Sequence, residues 1–534
     1  MLSLRKIFQF GALLAAGAAL ATAAPTLSGV YNAASWVPAG LPNSGIAEGS
    51  IFTLIGTGMG PANLAQVTQY PLPTSQGLAG TTVQVTVGGV TNYCVMIYTV
   101  ATQVAAILPS STPAGTGTLT VSYQSAQGTI AIRVVKNSVG IFAVNEKGSG
   151  PGIITNVSYQ VRVPTDSAHP GDILVLWATG LGPVTGDETE PPTPVDLGTG
   201  VQVFVGGQAA TVLYGGRGSS PGLDQINFTV PSGLSGCYVS VVVQVNGVVS
   251  NFATIPIAAA GQSFCSDGAA GFSGAHLTKL QNGGTINVAR LDMDNIDGNN
   301  ASAIFEKWSY LDLIGSHGVP GGPSVGSCTV YDVPSGNGIV VLDPFAIPGL
   351  NAGSQVTISG PGGTKTLPQA TTGTYLAQLS AKGATPFLTT GTYTLSNGSG
   401  GTDIGPITAA VAYPQPLTWT NEATTKSVSV SHDLTVTWSG GAASDYVSII
   451  GITGLASISQ DTEFFCTAQA SAGQFTIPSQ VLALLPPAGL DSSLQPGLDF
   501  FVGLVTPATV TGANLDYGFL FSNATVVAVL SIVP

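Results

Sequence analysis

An internal repeat constrains the fold of this 534-residue chain more than any other feature of its sequence. Residues 48–61 and 170–183 share the pattern x-Gly-[Ser/Asp]-Ile-x-x-Leu-x-x-Thr-Gly-x-Gly-Pro. Two more pairs of similar blocks follow in the same order, 80–89 with 198–207 and 103–110 with 225–232. Three ordered blocks that recur about 120 residues apart indicate a duplicated domain. A unit of about 100 residues has the size of an immunoglobulin-like β-sandwich.

The residues inside the repeat alternate as β-strands do. Val83, Val85 and Val87 are separated by single polar residues, which is the period of a strand with one buried face. Only 7% of the residues are charged, whereas ordinary soluble chains have about 25%. Because long surface helices need a polar, usually charged, face, this composition favours sheets. We therefore predict an all-β chain of tandem immunoglobulin-like sandwiches.

The repeated blocks also carry a resemblance to a known family. The Gly-[Ser/Asp]-Ile and Thr-Gly-x-Gly-Pro blocks, the Val-Gln-Val strand and the Gln-Ile-Asn-Phe-Thr-Val-Pro block at 225–231 resemble IPT/TIG-like immunoglobulin-type domains. They are more closely similar to the acidobacterial, Solibacter-type uncharacterised C-terminal domain of secreted proteins, as are 32–36 (Asn-Ala-Ala-Ser-Trp) and 140–142 (Gly-Ile-Phe). The resemblance covers about residues 28–258. It implies a sandwich fold and export, and it supplies no catalytic residue.

The amino terminus is typical of a secretory signal peptide. Arg5 and Lys6 precede an apolar stretch at 8–20, and a small-residue motif ending at Ala23 predicts cleavage after that residue. The alternative, a membrane anchor, is disfavoured because the stretch is shorter than the roughly 20 residues that span a bilayer. We predict a secreted, extracellular or cell-surface protein with no membrane span in the mature chain.

The repeat and the turn signals divide the chain into six predicted segments. They are a signal peptide (1–23), sandwich 1 (24–146), sandwich 2 (147–258), an irregular connector (259–330), sandwich 3 (331–415) and sandwich 4 (416–534). In the connector, Ile304, Trp308 and Leu311 recur at helical spacing and predict a helix. Cys265 and Cys328 bracket the connector, so a disulfide between them is the expected restraint. The chain has five cysteines, which leaves at least one unpaired or intermolecular.

An acidic run in the connector superficially resembles a calcium loop. Asp292, Asp294 and Asp297 could supply oxygen ligands, but Ala303 stands where the EF-hand pattern requires a glutamate. Two interpretations stay open at this point, an irregular calcium site and a solvated turn rich in Asx residues.

Other candidate chemistry has simpler explanations in the sequence. Ser324 lies in a Gly-x-Ser-x-Gly string, but a nucleophile elbow needs a strand before it and a helix after it, and Pro323 interrupts the turn. Asp187, Glu188 and Glu190 could form a glycosidase pair, yet they occupy a polar loop flanked by prolines and are expected to be solvated. We therefore predict no catalytic residue, and no enzyme.

The histidines and tryptophans define no site either. The four histidines lack the spacing of zinc ligands: His169, His276, His317 and His432. The five tryptophans are too scattered for a sugar-stacking platform: Trp36, Trp177, Trp308, Trp419 and Trp438. Trp177 and Trp438 lie in strand patterns and are expected in the core. No cofactor or metal is predicted.

Three functions remain for a chain of this kind. The leading hypothesis is a non-enzymatic surface or matrix scaffold with an adhesion role. The second is an extracellular carbohydrate-binding or substrate-docking protein, with polysaccharide or a cell-surface protein as partner. The third is a hydrolase whose site lies in residues 259–330. Nucleic acid is excluded as a partner because the net charge is −13.

Overall fold

The computed structural model describes most of the chain that follows the predicted signal peptide. The described residues are 24–198, 200–268, 276, 278–280, 283–296, 298–310, 312, 322–334, 347–455, 459–486 and 497–534. The predicted signal peptide and its cleavage site after Ala23, together with Asp297, Leu311 and His317, lie outside them. Among the described residues, no helix is long and apolar enough to cross a membrane.

The first sandwich is built from two five-stranded sheets, β1-β3-β8-β7-β4 and β2-β10-β9-β5-β6. Its strands are β1 (Thr26–Asn32), β2 (Ile46–Ala47), β3 (Ile51–Thr57), β4 (Ala65–Gln66), β5 (Thr81–Val87), β6 (Val90–Tyr93), β7 (Val95–Val100), β8 (Gln103–Ile107), β9 (Gly115–Tyr123) and β10 (Ala126–Val135). Phe52 and Leu54 of β3 point into the sandwich core, while Ile51 faces the second sandwich. This sheet is therefore buried on both faces, which explains its continuous apolar run.

The second sandwich repeats the first. Its strands are β11 (Gly140–Ile141), β12 (Ile154–Asn156), β13 (Ile173–Thr179), β14 (Val195–Asp196), β15 (Gln202–Val205), β16 (Gln208–Arg217), β17 (Asp224–Thr229), β18 (Gly236–Val245), β19 (Val248–Val249) and β20 (Ala253–Ile257). Ile51 pairs with Ile107 in the first copy, and Ile173 pairs with Thr229 in the second. The neighbouring strand has a register shift at the equivalent place, after Met96 in β7 and after Val212 in β16. The tandem-sandwich prediction is confirmed.

The carboxyl-terminal half shares one long sheet between two hydrophobic cores, here called the third core, around Tyr375 and Tyr393, and the fourth core, around Trp419 and Trp438. Its elements are β21 (Thr285–Asp294), β22 (Gly298–Ser309), β23 (Ser327–Pro334), β24 (Gln355–Gly360), β25 (Gly363–Thr371), β26 (Thr374–Ala381), β27 (Gly391–Ser396), β28 (Thr408–Tyr413), β29 (Thr418–Trp419), β30 (Ser427–Ser429), β31 (Leu434–Ser439), β32 (Tyr446–Leu455), β33 (Gln460–Gln469), a 3-10 turn (Ala470–Ala472), β34 (Gln474–Ile477), α1 (Ser479–Leu482), β35 (Leu498–Thr509) and β36 (Tyr517–Val533).

Strand β36 belongs to both of these cores. Leu520 and Ala524 pack in the third core, around Tyr375 and Tyr393, whereas Leu530 packs in the fourth. The third core also takes in β21 and β22, which pair with β36 and β26. The two carboxyl-terminal units are thus interleaved along the chain instead of following one another.

The helix predicted around Ile304 and Trp308 is wrong. Both residues lie on β22, which forms a ten-pair antiparallel ladder with β21. The irregular stretch is accordingly shorter than the predicted connector, since residues 285–294 and 298–309 are strands. Residues four apart lie on one face of a strand as well as on one face of a helix, so this spacing fits both periods.

The predicted Cys265–Cys328 disulfide is also wrong. Cys265 is bonded to Cys237 at the end of the second sandwich, and Cys328 is bonded to Cys466. Cys328 and Cys466 stand directly opposite each other on β23 and β33, so the strand register fixes that pairing. The odd cysteine is Cys94, which is unpaired and buried.

Candidate binding cleft and interdomain seam

The first two sandwiches are joined by a buried polar contact surface, here called the seam. The Thr-Gly-x-Gly-Pro corner of the second repeat forms its centre: the Ile51 amide donates to Thr179 Oγ1 (2.9 Å), and this hydroxyl donates to the Gly222 carbonyl (2.7 Å). The side-chain amide of Asn32 donates to the Ser138 carbonyl (2.8 Å). The repeated corner of the second copy therefore docks onto the first copy.

An ion pair without solvent contact lies at the centre of the seam. Arg217 and Asp224 have side chains only 1% and 0% exposed, with Nε and Oδ1 3.2 Å apart. The Arg217 guanidinium also donates to the carbonyls of Gly49 in the first sandwich (2.8 Å) and Gly182 in the second (3.1 Å). Burial raises the pKa of Asp224 to about 6, and Arg217 opposes that rise. One guanidinium thus bridges both domains.

The carboxylates considered for glycosidase chemistry serve the same contact surface. Glu188 accepts hydrogen bonds from the Ser110 amide (2.8 Å) and hydroxyl (2.7 Å) in the first sandwich. Asp187 accepts from the amide and hydroxyl of Thr189, and these bonds lower its pKa. Glu190 is exposed. Glu188 is therefore a seam residue and not simply a solvated one, and its two oxygens are occupied.

A cleft of about 440 Å³ opens where the first and second sandwiches meet the fourth core. The first sandwich supplies a wall around Tyr31 and Trp36, the second supplies Lys147 to Ser149, and β23 supplies Val330 to Val333. The remaining lining residues are Val37, Pro38, Asn43, Ser35, Ile55, Asn251, Phe252, Gln460 and Leu484. Val37, which lines the cleft, also packs with Leu41 against Leu455 of β32. Three domains together define the shape of the cleft.

The cleft combines aromatic rings with polar groups of mixed character. The rings of Tyr31 and Trp36 lie 5.6 Å apart between centroids, at 31°. Trp36 has a left-handed backbone (φ 56°), which is rare for a bulky residue. Lys147 and Asp332 are exposed at the edges. The cleft therefore offers one positive and one negative side chain beside an aromatic pair.

A buried glutamate lies next to the β23 wall. Glu463 of β33 stands opposite Tyr331, is 1% exposed, and its Oε2 has no hydrogen-bond partner among the described residues. Burial, with a smaller contribution from Asp461, raises the pKa of Glu463 to about 7. Burial also raises the pKa of Tyr331 to about 12. The carboxyl group is thus held in its neutral form below about pH 7.

Replacing Glu463 by glutamine should remove a pH dependence of stability. Because the pKa of Glu463 is about 7 in the folded protein and the ordinary pKa of a glutamate is 4.5, the folded protein retains a proton that the unfolded chain loses between these values. The free energy of unfolding should therefore fall by about 3 kcal/mol as pH rises through this window, and level off above it. Calorimetry of Glu463→Gln at pH 5 and pH 8 should show a smaller fall than in the wild type. The exposed Glu190→Gln is the control, and an unchanged fall in Glu463→Gln would contradict the assignment.

The other sequence candidates are occupied by structural contacts. Ser324 is completely buried, its hydroxyl donating to Asp267 and accepting from the Tyr238 amide (2.9 Å). Asp292 contacts Arg290 (3.3 Å) and Asn523 (2.8 Å). Both side chains are thus held in place by hydrogen-bond partners of the chain itself.

The acidic turn and two of the histidines also make contacts within the chain. Asp294 accepts a hydrogen bond from the Ile296 amide (2.9 Å), which is an Asx turn, one of the two interpretations that the sequence left open. His169 contacts the Gln262 carbonyl (3.0 Å), and the ring of His276 lies 4.5 Å from that of Tyr517. In the described part of the chain, no three His, Cys, Asp or Glu side chains are grouped so that they could hold a metal ion.

The tryptophans separate into core and surface positions. Trp308, Trp419 and Trp438 are each 4% exposed, so the core prediction for Trp438 is confirmed. Trp177 is half-buried and packs in the apolar cluster between the first two sandwiches. Trp36 lines the cleft, a position that could not be recognised from the residue pattern alone.

Comparisons with known proteins show no close relative. No model of a known protein family matches the chain, and no curated protein sequence matches it. Solved structures with some similarity include SGBP-B from a xyloglucan utilization locus of Bacteroides uniformis, with 12% identity, 96% of this chain and 100% of that chain covered, and a TM-score of 0.16. The FN1-FN3 domains of chicken CNTN1 follow with 10% identity, 72% and 99% covered, and a TM-score of 0.13.

The extracellular region of plexin A4 is similar to this chain at the same low level. A structure of its domains 1 to 8 is 15% identical, covers 45% of this chain and has a TM-score of 0.16. A structure of its domains 1 to 10 is 11% identical, covers 88% of this chain and has a TM-score of 0.15. The chain spans 19% and 31% of the length of these two structures. Similarities this weak support no statement about function, and the tandem-sandwich fold rests on the strand register itself. The resemblance to IPT/TIG-like domains stays a prediction.

Proposed function

We propose that this chain is a secreted, non-enzymatic protein that presents a rigid array of β-sandwiches as a surface or matrix scaffold with an adhesion role. The observation that carries the proposal is the seam, in which Arg217 bonds to both Gly49 and Gly182 with its charge fully buried. Independent domains on a string need no such contact, whereas a scaffold that holds its modules at fixed angles does. The disulfides Cys237–Cys265 and Cys328–Cys466 restrain the chain within its modules.

The absence of an assigned catalytic group is part of the same proposal. The hydroxyl of Ser324 and the carboxylates of Asp187, Glu188 and Asp292 are engaged by donors or acceptors of the chain itself. Catalytic groups of a hydrolase must reach the substrate within hydrogen-bond distance. We infer that these side chains stabilise the fold and carry out no chemistry.

Hydrogen exchange tests the rigid-array proposal. The Ile51 amide donates to Thr179 across the seam, and the Leu181 amide donates to Asp224 beside it. Both amides should exchange with solvent as slowly as the amides in the sandwich cores. The Ser158 amide, which bonds to Asn156 in an exposed turn, is the fast-exchanging control. Rapid exchange at Ile51 and Leu181 while core amides stay protected would show that the two sandwiches move independently, and the scaffold proposal would fail.

Location and activity are tested separately. In cells that naturally produce the chain, the mature protein should be found in the medium or on the surface, and its first residue should be Ala24. Deletion of its gene should reduce attachment or aggregation of these cells. An uncleaved intracellular protein, or turnover of a panel of ester and glycoside substrates above that of the heat-denatured protein, would contradict the proposal.

A further inference from the structure

We propose that the three-domain cleft is a binding site for a short segment of a neutral saccharide. This inference goes beyond the scaffold role and does not depend on it, since a rigid array needs no ligand. It rests on the enclosure of the cleft, the aromatic pair in its wall, and the side-chain groups left without partners around it.

The size and construction of the cleft suit a small, rigid ligand. A volume of about 440 Å³ lies in the lower part of the range for small-molecule sites, about 300–1,000 Å³. Its walls come from three domains whose relative positions are fixed by the seam and by the Val37–Leu455 contact. Such a site is formed before the ligand arrives, so binding requires little ordering of the protein.

The conformation and surroundings of Trp36 in the cleft wall are energetically unfavourable. Its positive φ is strained for a side chain of this size, and its indole N–H is buried without a hydrogen-bond partner among the described residues. Strained residues and unsatisfied groups concentrate at binding sites, where geometry is selected for function. With Tyr31 at 5.6 Å, Trp36 provides an aromatic surface suited to the apolar face of a sugar ring.

The polar groups around the rings match hydroxyls better than they match ions. The Lys147 ammonium and the side-chain amides of Asn43 and Gln460 have no partners among the described residues. Asp332 uses one oxygen to accept from Thr462 (2.9 Å). An ammonium only donates, a carboxylate only accepts, and an amide does both. Sugar hydroxyls donate and accept at once, so they can satisfy this mixed set.

Other ligand classes fit the cleft less well. Lys147 and Asp332 oppose each other in sign, so the lining offers neither an anion site nor a cation site. A peptide could add to the edge strand β23, but the Ser324 amide before this strand already bonds to the Tyr238 carbonyl of the second sandwich. Of β23, only the four residues from Val330 to Val333 line the cleft, so a peptide added to this edge would run along the cleft for a short distance only.

Calorimetric titration and retention on insoluble polysaccharides test the inference with the full mature chain. The probes are neutral gluco-, xylo-, manno- and chito-oligosaccharides of two to six units, matched uronic-acid oligosaccharides, and unrelated tetrapeptides. Wild type should bind at least one neutral oligosaccharide. Trp36→Ala should weaken that binding at least tenfold, whereas Trp36→Phe, which keeps a ring in place, should stay within about threefold.

Matched variants separate the site from general effects on the surface. Tyr93→Ala removes an exposed aromatic residue on β6, outside the cleft, and should leave affinity unchanged. Gln460→Ala should weaken binding without changing thermal stability. Failure of the wild type to bind any neutral probe, or binding of uronates or peptides alone, would overturn the inference. Binding that is as tight after Trp36→Ala as in the wild type would also overturn it. Hydrogen exchange at the seam would be unaffected by these variants, so the scaffold proposal is judged independently.

Discussion

Replacing Arg217 by methionine should destabilise the paired amino-terminal sandwiches by about 3–5 kcal/mol, because it leaves a fully buried carboxylate without its cation. Methionine keeps much of the apolar volume of the side chain, so the loss reports charge and hydrogen bonds more than a cavity. The variant loses the contacts with Gly49 and Gly182 as well as the ion pair with Asp224. The measurement is the unfolding transition of these two domains in the full chain, followed by calorimetry.

The sign of the pH effect distinguishes this explanation from a general packing defect. Burial already raises the pKa of Asp224 to about 6 with Arg217 present, and removal of the cation raises it further. Protonation of the orphaned carboxyl at pH 5 should therefore recover part of the loss seen at pH 8. Adding Asp224→Asn to Arg217→Met should also recover part of it at pH 8.

An exposed arginine of the first sandwich provides the control for Arg217. Arg133 makes a single long contact of 3.5 Å with the Ser44 carbonyl, so Arg133→Met should change the free energy of unfolding by less than about 0.5 kcal/mol. If Arg217→Met were as mild as Arg133→Met, or if its loss did not depend on pH, the seam would not be held by a buried charge.

The repeat explains why the fold could be predicted while the seam could not. The matching sequence blocks mark positions that the two copies share, and these positions pair in the same way in both. Val100 pairs with Gln103 in the first copy, and Gly216 pairs with Gln225 at the equivalent place in the second. The second copy continues by one more pair, Arg217 with Asp224, around a longer loop. The ion pair of the seam is therefore built from residues that have no counterpart in the first copy, although Thr179 and Gly182 of the seam belong to the repeated corner. The sequence carried one indication of this interface. The chain has few charges, and the second copy adds a charged pair at a lengthened hairpin.

In the carboxyl-terminal half, the fold depends on pairing between strands that are distant in the sequence, which the residue patterns did not predict. Alternation along β22 runs through the small residues Ala301 and Ala303, which carry a weak signal, while Ile304 and Trp308 fit either period. Strand β36 serves two cores, and nothing local shows that a strand changes neighbours along its length. The cleft depends on such pairing, since its β23 wall meets β33 from more than 120 residues away. Its lining could not be assembled before the register was known.

Removing the Cys328–Cys466 disulfide should have the largest effect of any single change to the fourth core. The bond joins residues 138 positions apart. In the chain-entropy model a loop of this length corresponds to about 5 kcal/mol, against about 3–4 kcal/mol for the 28-residue separation of Cys237 and Cys265. Strand β23 pairs only with β33 among the described strands, so little else retains it at the edge of the sheet.

The Cys328→Ala/Cys466→Ala double variant should therefore unfold at a lower temperature than Cys237→Ala/Cys265→Ala, and reduced wild type should unfold no higher than either. Each double variant also loses buried sulfur atoms, so Cys94→Ala, which removes a buried thiol without a cross-link, measures the packing contribution alone. Because Val330 to Val333 form one wall of the cleft, release of β23 should abolish saccharide binding even under conditions where the first two sandwiches stay folded. Retained binding after loss of this disulfide would show that β23 keeps its place through the sheet ladder. An unfolding temperature no lower than that of Cys237→Ala/Cys265→Ala would contradict the chain-entropy account.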